Sequence, residues 1–130
     1  MKTAIIYARA KADLSDFGLT SVKGQFQTCK EYAEKNDIKI VGLFSDILLF
    51  GNKPKYPNWR NIINTKKPKY DYILVYNYSR AGRDLSKVLK DRAKIKEHGV
   101  RILSALEPMS EDEADFMFTV MGELRNDRDV

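Results

Sequence analysis

The sequence predicts a single α/β domain, a three-layer arrangement in which a mostly parallel sheet of four to five strands lies between helices and a C-terminal helix closes the chain. Three observations carry this expectation. Short apolar runs at Ala4–Ala8, Ile38–Phe44, Tyr72–Tyr76 and Val100–Leu103 alternate with segments of helical period, the order that builds parallel sheets. The 130 residues suffice for one hydrophobic core. No repeat, low-complexity tract or linker divides the chain, so residues 1–130 are read as one domain.

Each element has its own reason. Ala4-Ile5-Ile6-Tyr7-Ala8 is unbroken and partly β-branched, as suits a strand buried on both faces. The polar stretch Lys11 to Thr20, with Gly18, reads as a loop. Ser21 then fits a helix N-cap, because Val22, Phe26, Cys29 and Ala33 follow at helical spacing beside Tyr32, until Asn36-Asp37. The strand Ile38–Phe44 sets Ile38, Ile40 and Gly42 on one face and delivers Asp46 at its C-terminal end. Ile47 to Tyr56 reads as a mobile loop with an apolar tip, Leu48-Leu49-Phe50, suited to a packing or subunit contact. Pro57 suits the first turn of a short helix whose Trp59, Ile62 and Ile63 belong to the core, and Lys66-Lys67-Pro68-Lys69 ends it. After the strand Tyr72–Tyr76, a helix with Leu85, Val88, Leu89, Ala93 and Ile95 inside stops at His98-Gly99. Lys87, Lys90, Arg92, Lys94 and Lys96 circle this helix as solvated charge. From Asp112, Phe116, Val120 and Leu124 mark the last helix.

Composition narrows the function classes. Hydrophobic residues make up 43% and charged residues 32%, the balance of a globular chain. Twenty-three Lys and Arg against eighteen Asp and Glu give +5 and favour a polyanionic partner. The single cysteine, Cys29, falls in a helical stripe as a small buried hydrophobe and leaves no internal disulfide or Cys-rich zinc site. With His98 the only histidine, His-based metal sites and Ser-His triads are excluded; no metal and no cofactor is called for. The apolar start is too short for a signal peptide or membrane span, which makes the cytoplasm the expected location.

In parallel α/β folds, working groups gather at the C-terminal ends of strands. Arg9 and Lys11 stand after the first strand, Asp46 after the second, and Ser79, Arg80 and Arg83 after the third. Four cations meeting at one sheet edge suit a phosphate, whose oxygens accept paired guanidinium hydrogen bonds. The same residues read equally well as solvated surface charge.

The ordered motifs resemble a known family. Tyr7-Ala8-Arg9 is similar to the Tyr-x-Arg-Val-Ser opening of the serine recombinases, the resolvase and invertase family. Ser21 to Gln25 with Cys29 to Ala33 resembles its first helix, and Phe44-Ser45-Asp46 with Gly51 its Phe-x-Asp…Ser-Gly turn. Tyr72 to Leu85 resembles its Val-x-x-Leu-Asp-Arg-x-x-Arg-x-Leu element, while Gly99-Val100-Arg101 and Phe116-Met117-Phe118 fit a later strand and the final helix. The resemblance implies attack of a serine hydroxyl on a DNA phosphodiester, a 5′-phosphoserine link, and strand exchange in a synaptic tetramer without a high-energy cofactor. It also implies that Arg9, Arg80 and Arg83 neutralise the phosphoryl transition state, with Gln25 and Asp46 in support.

The departures concern the chemistry itself. Lys11 stands at the nucleophile position, two residues after Arg9, and its spacing to Gln25 leaves no gap to bring another serine there. Tyr56 stands where an arginine is implied, and Ser79 where an aspartate is. An ammonium group, with a reference pKa of about 10.4, forms no phosphoserine; a lysine phosphoramidate is a conceivable substitute. Near the chain end, Asn126, Asp127, Arg128 and Asp129 replace the implied Glu and Arg of the final helix. The leading expectation is a catalytically impaired recombinase domain, in a DNA recombination and integration context, that keeps affinity for the DNA backbone through Arg9, Lys11, Arg80 and Arg83. Its protein partners are a second copy, through the C-terminal helix, or other recombinase subunits, with the acidic stretch Glu111 to Asp115 leaving the oligomeric state open. An active enzyme with a relocated nucleophile (Ser15, Ser21 or Ser79) and an α/β interaction module without DNA affinity are the rivals. No separate DNA-reading domain is present in these residues, so base specificity has no evident source.

Overall fold

The computed structural model describes residues 1–11, 21–48, 56–81 and 85–107, with the helical positions Glu113, Phe116 and Val120. The elements are β1 (Lys2–Lys11), α1 (Val22–Lys35), β2 (Ile38–Leu48), α2 (Pro57–Ile63), β3 (Tyr72–Val75), a 3-10 turn (Tyr78–Ala81), α3 (Leu85–Glu97) and β4 (Arg101–Ser104). All strand pairs are parallel, in the order β2-β1-β3-β4. The chain steps from β1 to one side and then crosses to the other, so the crevice between β1 and β3 is the switch point where such sheets bind ligands.

Alternation along β1 divides the core. Ala4 and Ile6 face α1, whose Cys29 and Ala33 complete a small cluster with Leu74. Ile5 and Tyr7 face α2 and α3 in the larger cluster, which holds Trp59, Ile62, Ile63, Ile73, Val75, Val88, Ile95 and Ile102. The helices therefore cover both faces, as the sequence predicts. Cys29 is fully buried, and burial pushes its thiol up to about 12, so it behaves as a hydrophobe.

Ser21 caps α1: its Oγ accepts the Gly24 N–H at 3.0 Å. Replacing Ser21 by alanine is expected to cost about 1 kcal/mol, read as a lower urea midpoint at unchanged slope. Asn36 ends that helix and Asp37 turns the chain at φ 54°, a left-handed conformation that a short polar side chain tolerates. Gly99, at φ 78°, ends α3 as expected.

Several boundaries differ from the sequence reading. Lys11 is not the first loop residue but the last of β1, and Ile47 and Leu48 continue β2 rather than opening a loop. The two strands keep pairing as far as Lys11 and Leu48, and a bulge resets their register. Ala4 pairs with Ile40 but Ile5 with Gly42, so Val41 is an extra residue and the alternation inverts there. Gly42 allows the close packing beyond it, since a Cβ there would lie 3.0 Å from Phe44 and 3.2 Å from Ile5. Ala93, expected inside, is exposed, and its place on the buried face of α3 is taken by Asp91 between Val88 and Ile95. The stretch 12–20, the Leu49-Phe50 tip and most of the final helix lie outside the described residues, as does Gly51.

Candidate functional site

The ends of β1 and β3 bring together Arg9, Gln25 and Arg80. Gln25, fully buried on α1, brackets the Arg9 peptide: its Oε1 accepts the Arg9 N–H at 3.2 Å and its Nε2 donates to the Arg9 carbonyl at 3.0 Å. The same carbonyl accepts from Arg80 Nη1 at 2.8 Å, across 71 residues of sequence. Two guanidinium-bearing segments are thus tied at one strand end. Arg80 Nε is buried and makes no hydrogen bond among the described residues.

The Arg9 side chain is held on two sides. Its Nε donates to the Tyr7 hydroxyl at 3.0 Å, and its guanidinium lies over the Tyr56 ring, 3.5 Å from the centroid. The Tyr7 hydroxyl donates in turn to Asp46 Oδ2 at 2.7 Å. Burial pushes the Tyr7 phenol far above its ordinary value; the Arg9 charge opposes this and the Asp46 hydrogen bond adds to it. The hydroxyl therefore stays protonated and links the carboxylate to the guanidinium.

Asp46 does a second job. Its Oδ1 accepts the Asn58 N–H at 3.0 Å and its Oδ2 the Trp59 N–H at 2.9 Å. These are donors in the first turn of α2, where Tyr56, at the cap position, offers no side-chain acceptor. A seven-residue helix is too short to persist alone. It is held by Pro57, by Asp46 and by the burial of Trp59, Ile62 and Ile63. The bulge in β2 is what aims Asp46 here, because it places Asp46 opposite Arg9 on the face of Tyr7 rather than toward α1.

Asp46 and Gln25 are thus buried positioning residues. Lys11 ends β1 beside Leu48, in register with the site. Ser79 is exposed on the 3-10 turn and its hydroxyl donates to Asn77 Oδ1 at 2.7 Å. Ser21 is occupied as a cap, while Ser15 and Arg83 lie outside the described residues.

Three positions escaped the sequence reading. Tyr7 links Asp46 to Arg9, although its place in an apolar run and in the Tyr-x-Arg motif assigns it no role. Asp91 accepts from Trp59 Nε1 at 2.9 Å and pairs with Arg60 at 3.0 Å; an acid within the apolar stripe of α3 was the available clue. Glu107 Oε1 accepts the Tyr78 N–H at 2.8 Å and the Ser104 hydroxyl at 3.1 Å, anchoring the turn that carries Arg80. Nothing in the local pattern distinguished Glu107. Among the described residues no cluster of His, Cys, Asp and Glu fits a metal ion, and no helix is long and apolar enough to cross a membrane.

The sequence profile of the family described as "Resolvase, N terminal domain" matches residues 4–127. The chain belongs to the resolvase family. Catalytic domains of site-specific serine recombinases share the fold of this resolvase domain. It superposes on the N-terminal catalytic domain of TP901-1 integrase with a TM-score of 0.77 at 20% identity, covering 99% of this chain and 100% of that one. A resolvase family site-specific recombinase from Streptococcus pneumoniae gives 0.78 at 19% identity, covering 98% and 88%. The catalytic domain of ISC1926 TnpA, an IS607-like serine recombinase, gives 0.63 at 16%, covering 94% and 82%. No curated protein matches in sequence. Recombinase domains of this family bind DNA and oligomerise.

Proposed function

We propose that this resolvase domain binds the DNA backbone at the β1/β3 crevice without cleaving it. The observation that supports this most directly is the junction at the Arg9 carbonyl, where Gln25 and Arg80 both donate. That junction keeps two guanidinium-bearing segments together, with Arg80 Nε a buried donor without a partner among the described residues. Such an arrangement suits a phosphodiester oxygen. Lys11 and Arg83 join it in this reading as further phosphate contacts. Phosphoryl transfer needs more than charge: a hydroxyl must attack in line with the leaving oxygen, and an ammonium at the end of β1 supplies none. Ser79 is a poor substitute, since its hydroxyl is already donated to the Asn77 side-chain amide oxygen.

Residues 1–130 act as one domain in this reading, in the cytoplasm and without a cofactor. It works as a homodimer or higher oligomer through the C-terminal helix, or beside other recombinase subunits. The deciding experiment incubates the protein with supercoiled plasmid, denatures with detergent and separates covalent complexes on a gel. No protein–DNA adduct is expected. An adduct stable in acid identifies phosphoserine and restores an active enzyme; one labile in acid identifies a phosphoramidate at Lys11. Either result defeats the proposal.

A further inference from the structure

The net positive charge of the chain comes from two stretches of its sequence. Residues 57–69 hold four basic side chains and no acid; residues 85–97 hold five basic against two acidic. These two stretches carry a net of seven positive charges, more than the +5 of the whole chain, so the remainder is net negative. The two helices lie on the same side of the sheet and are joined by Asp91, which accepts from Trp59 and Arg60, and by the contact of Lys94 Nζ with Asn64 Oδ1. Asp91 is buried by that pairing, which leaves Glu97 as the exposed acid of these stretches.

Lys87, Lys90 and Lys94, spaced i, i+3 and i+7, fall within about 60° of one another on α3 and span roughly 10 Å along its axis. All three are exposed. The Lys94–Asn64 contact places the end of this row at the C-terminus of α2, from which exposed Lys66, Lys67 and Lys69 continue it. The result is an extended track rather than a pocket. The large exposed hydrophobics of the described residues (Met1, Val41, Leu43, Phe44, Ile47, Leu106 and Phe116) all lie on other elements. Among the described residues, α2, α3 and the segment 64–69 therefore present no large exposed apolar anchor of the kind that dominates protein–protein interfaces. Duplex DNA carries one charge per ~1.7 Å of axis, which an extended lysine track matches and a compact anion does not.

We infer that the α2/α3 face is a second contact for the backbone of duplex DNA, separate from the Arg9–Arg80 crevice. The test compares the full chain with a Lys66→Gln, Lys67→Gln, Lys69→Gln, Lys90→Gln variant and with Arg9→Ala, Arg80→Ala. Fluorescence anisotropy on a labelled duplex of arbitrary sequence is followed between about 50 and 200 mM salt, the range over which phosphate contacts lose their counterion advantage. Circular dichroism establishes that each variant is folded. The glutamine variant is expected to bind about 10–100-fold more weakly at low salt and to lose about 2–4 from the slope of log K against log salt, at about 0.9 per phosphate. The matching lysine-to-arginine variant retains both. Wild-type affinity and slope in the glutamine variant overturn the inference, as does equal binding of poly-glutamate and duplex by the wild type. Loss of binding in the glutamine variant alone, with the Arg9→Ala, Arg80→Ala variant unchanged, sustains this face while removing the crevice.

Discussion

Asp46→Ala is expected to destabilise the domain by about 3–5 kcal/mol, a large share of the ~5–15 kcal/mol typical of a folded domain. Three donors lose their acceptor at once: the Tyr7 hydroxyl, the Asn58 N–H and the Trp59 N–H. Asp46 is only 4% exposed, so water does not readily replace it. Each hydrogen bond to a carboxylate contributes about 1.5–3 kcal/mol, and orphaned buried donors add their desolvation. The loss reaches the site through two routes. The first turn of α2 loses its cap, which loosens Tyr56 beneath Arg9; the Tyr7 hydroxyl loses the acceptor that orients it toward Arg9 Nε. Urea denaturation measures the change as a lower midpoint. Asp46→Asn keeps an acceptor oxygen and should lose about half as much. A drop below about 1 kcal/mol for the alanine variant would show that Asp46 is not the keystone described.

How much of this was legible beforehand depends on the range over which each signal acts. Ser21, Pro57 and Gly99 act within one turn of backbone, so residue type and position disclosed them. Alternation read straight through Val41 sets Asp46 on the face of Ile38 and Ile40; a bulge is a property of the strand pair, invisible within one strand. That error bears on the site, since the same bulge turns Asp46 to the face of Tyr7. The resemblance names Arg9, Gln25, Asp46 and Arg80 as a set, yet not which of them hold the others in place. Gln25 and Asp46 act on backbone amides and a phenol across 16 and 39 residues respectively, separations no local pattern encodes. Asp91 was within reach: a carboxylate between Val88 and Ile95 on a buried face must have partners, and Trp59 and Arg60 are those partners. The basic residues of α3 do circle the helix, yet three of them, Lys87, Lys90 and Lys94, share one flank, and Lys94 reaches the end of α2.

Tyr56→Arg is expected to make the stability of the domain depend on phosphate. In the native chain the Tyr56 ring presents its negative face to the Arg9 guanidinium, which disperses that charge without any anion. An arginine there removes an attraction of about 0.5–1 kcal/mol. It also sets two cations about 4–5 Å apart, a repulsion of about 3–4 kcal/mol at an effective dielectric of ~20. Both positions are half-exposed, and water reduces that repulsion to about 1–2 kcal/mol. A melting temperature roughly 5–12 °C lower follows in the absence of multivalent anions. A phosphate seated between the two guanidinium groups reverses the sign of the pair interaction, and stabilisation then grows as RT ln(1 + [L]/Kd). Thermal melts in increasing inorganic phosphate, with ionic strength held constant by chloride, separate specific binding from screening. The variant should regain most of its deficit while the wild-type protein shifts little. Parallel curves for the two proteins would mean that the introduced arginine swings into solvent, and that the Tyr56 ring does not set the electrostatic state of Arg9. The outcome expected here assigns to Tyr56 a definite consequence of its place beneath Arg9: it keeps that guanidinium folded into the domain when no phosphate is present.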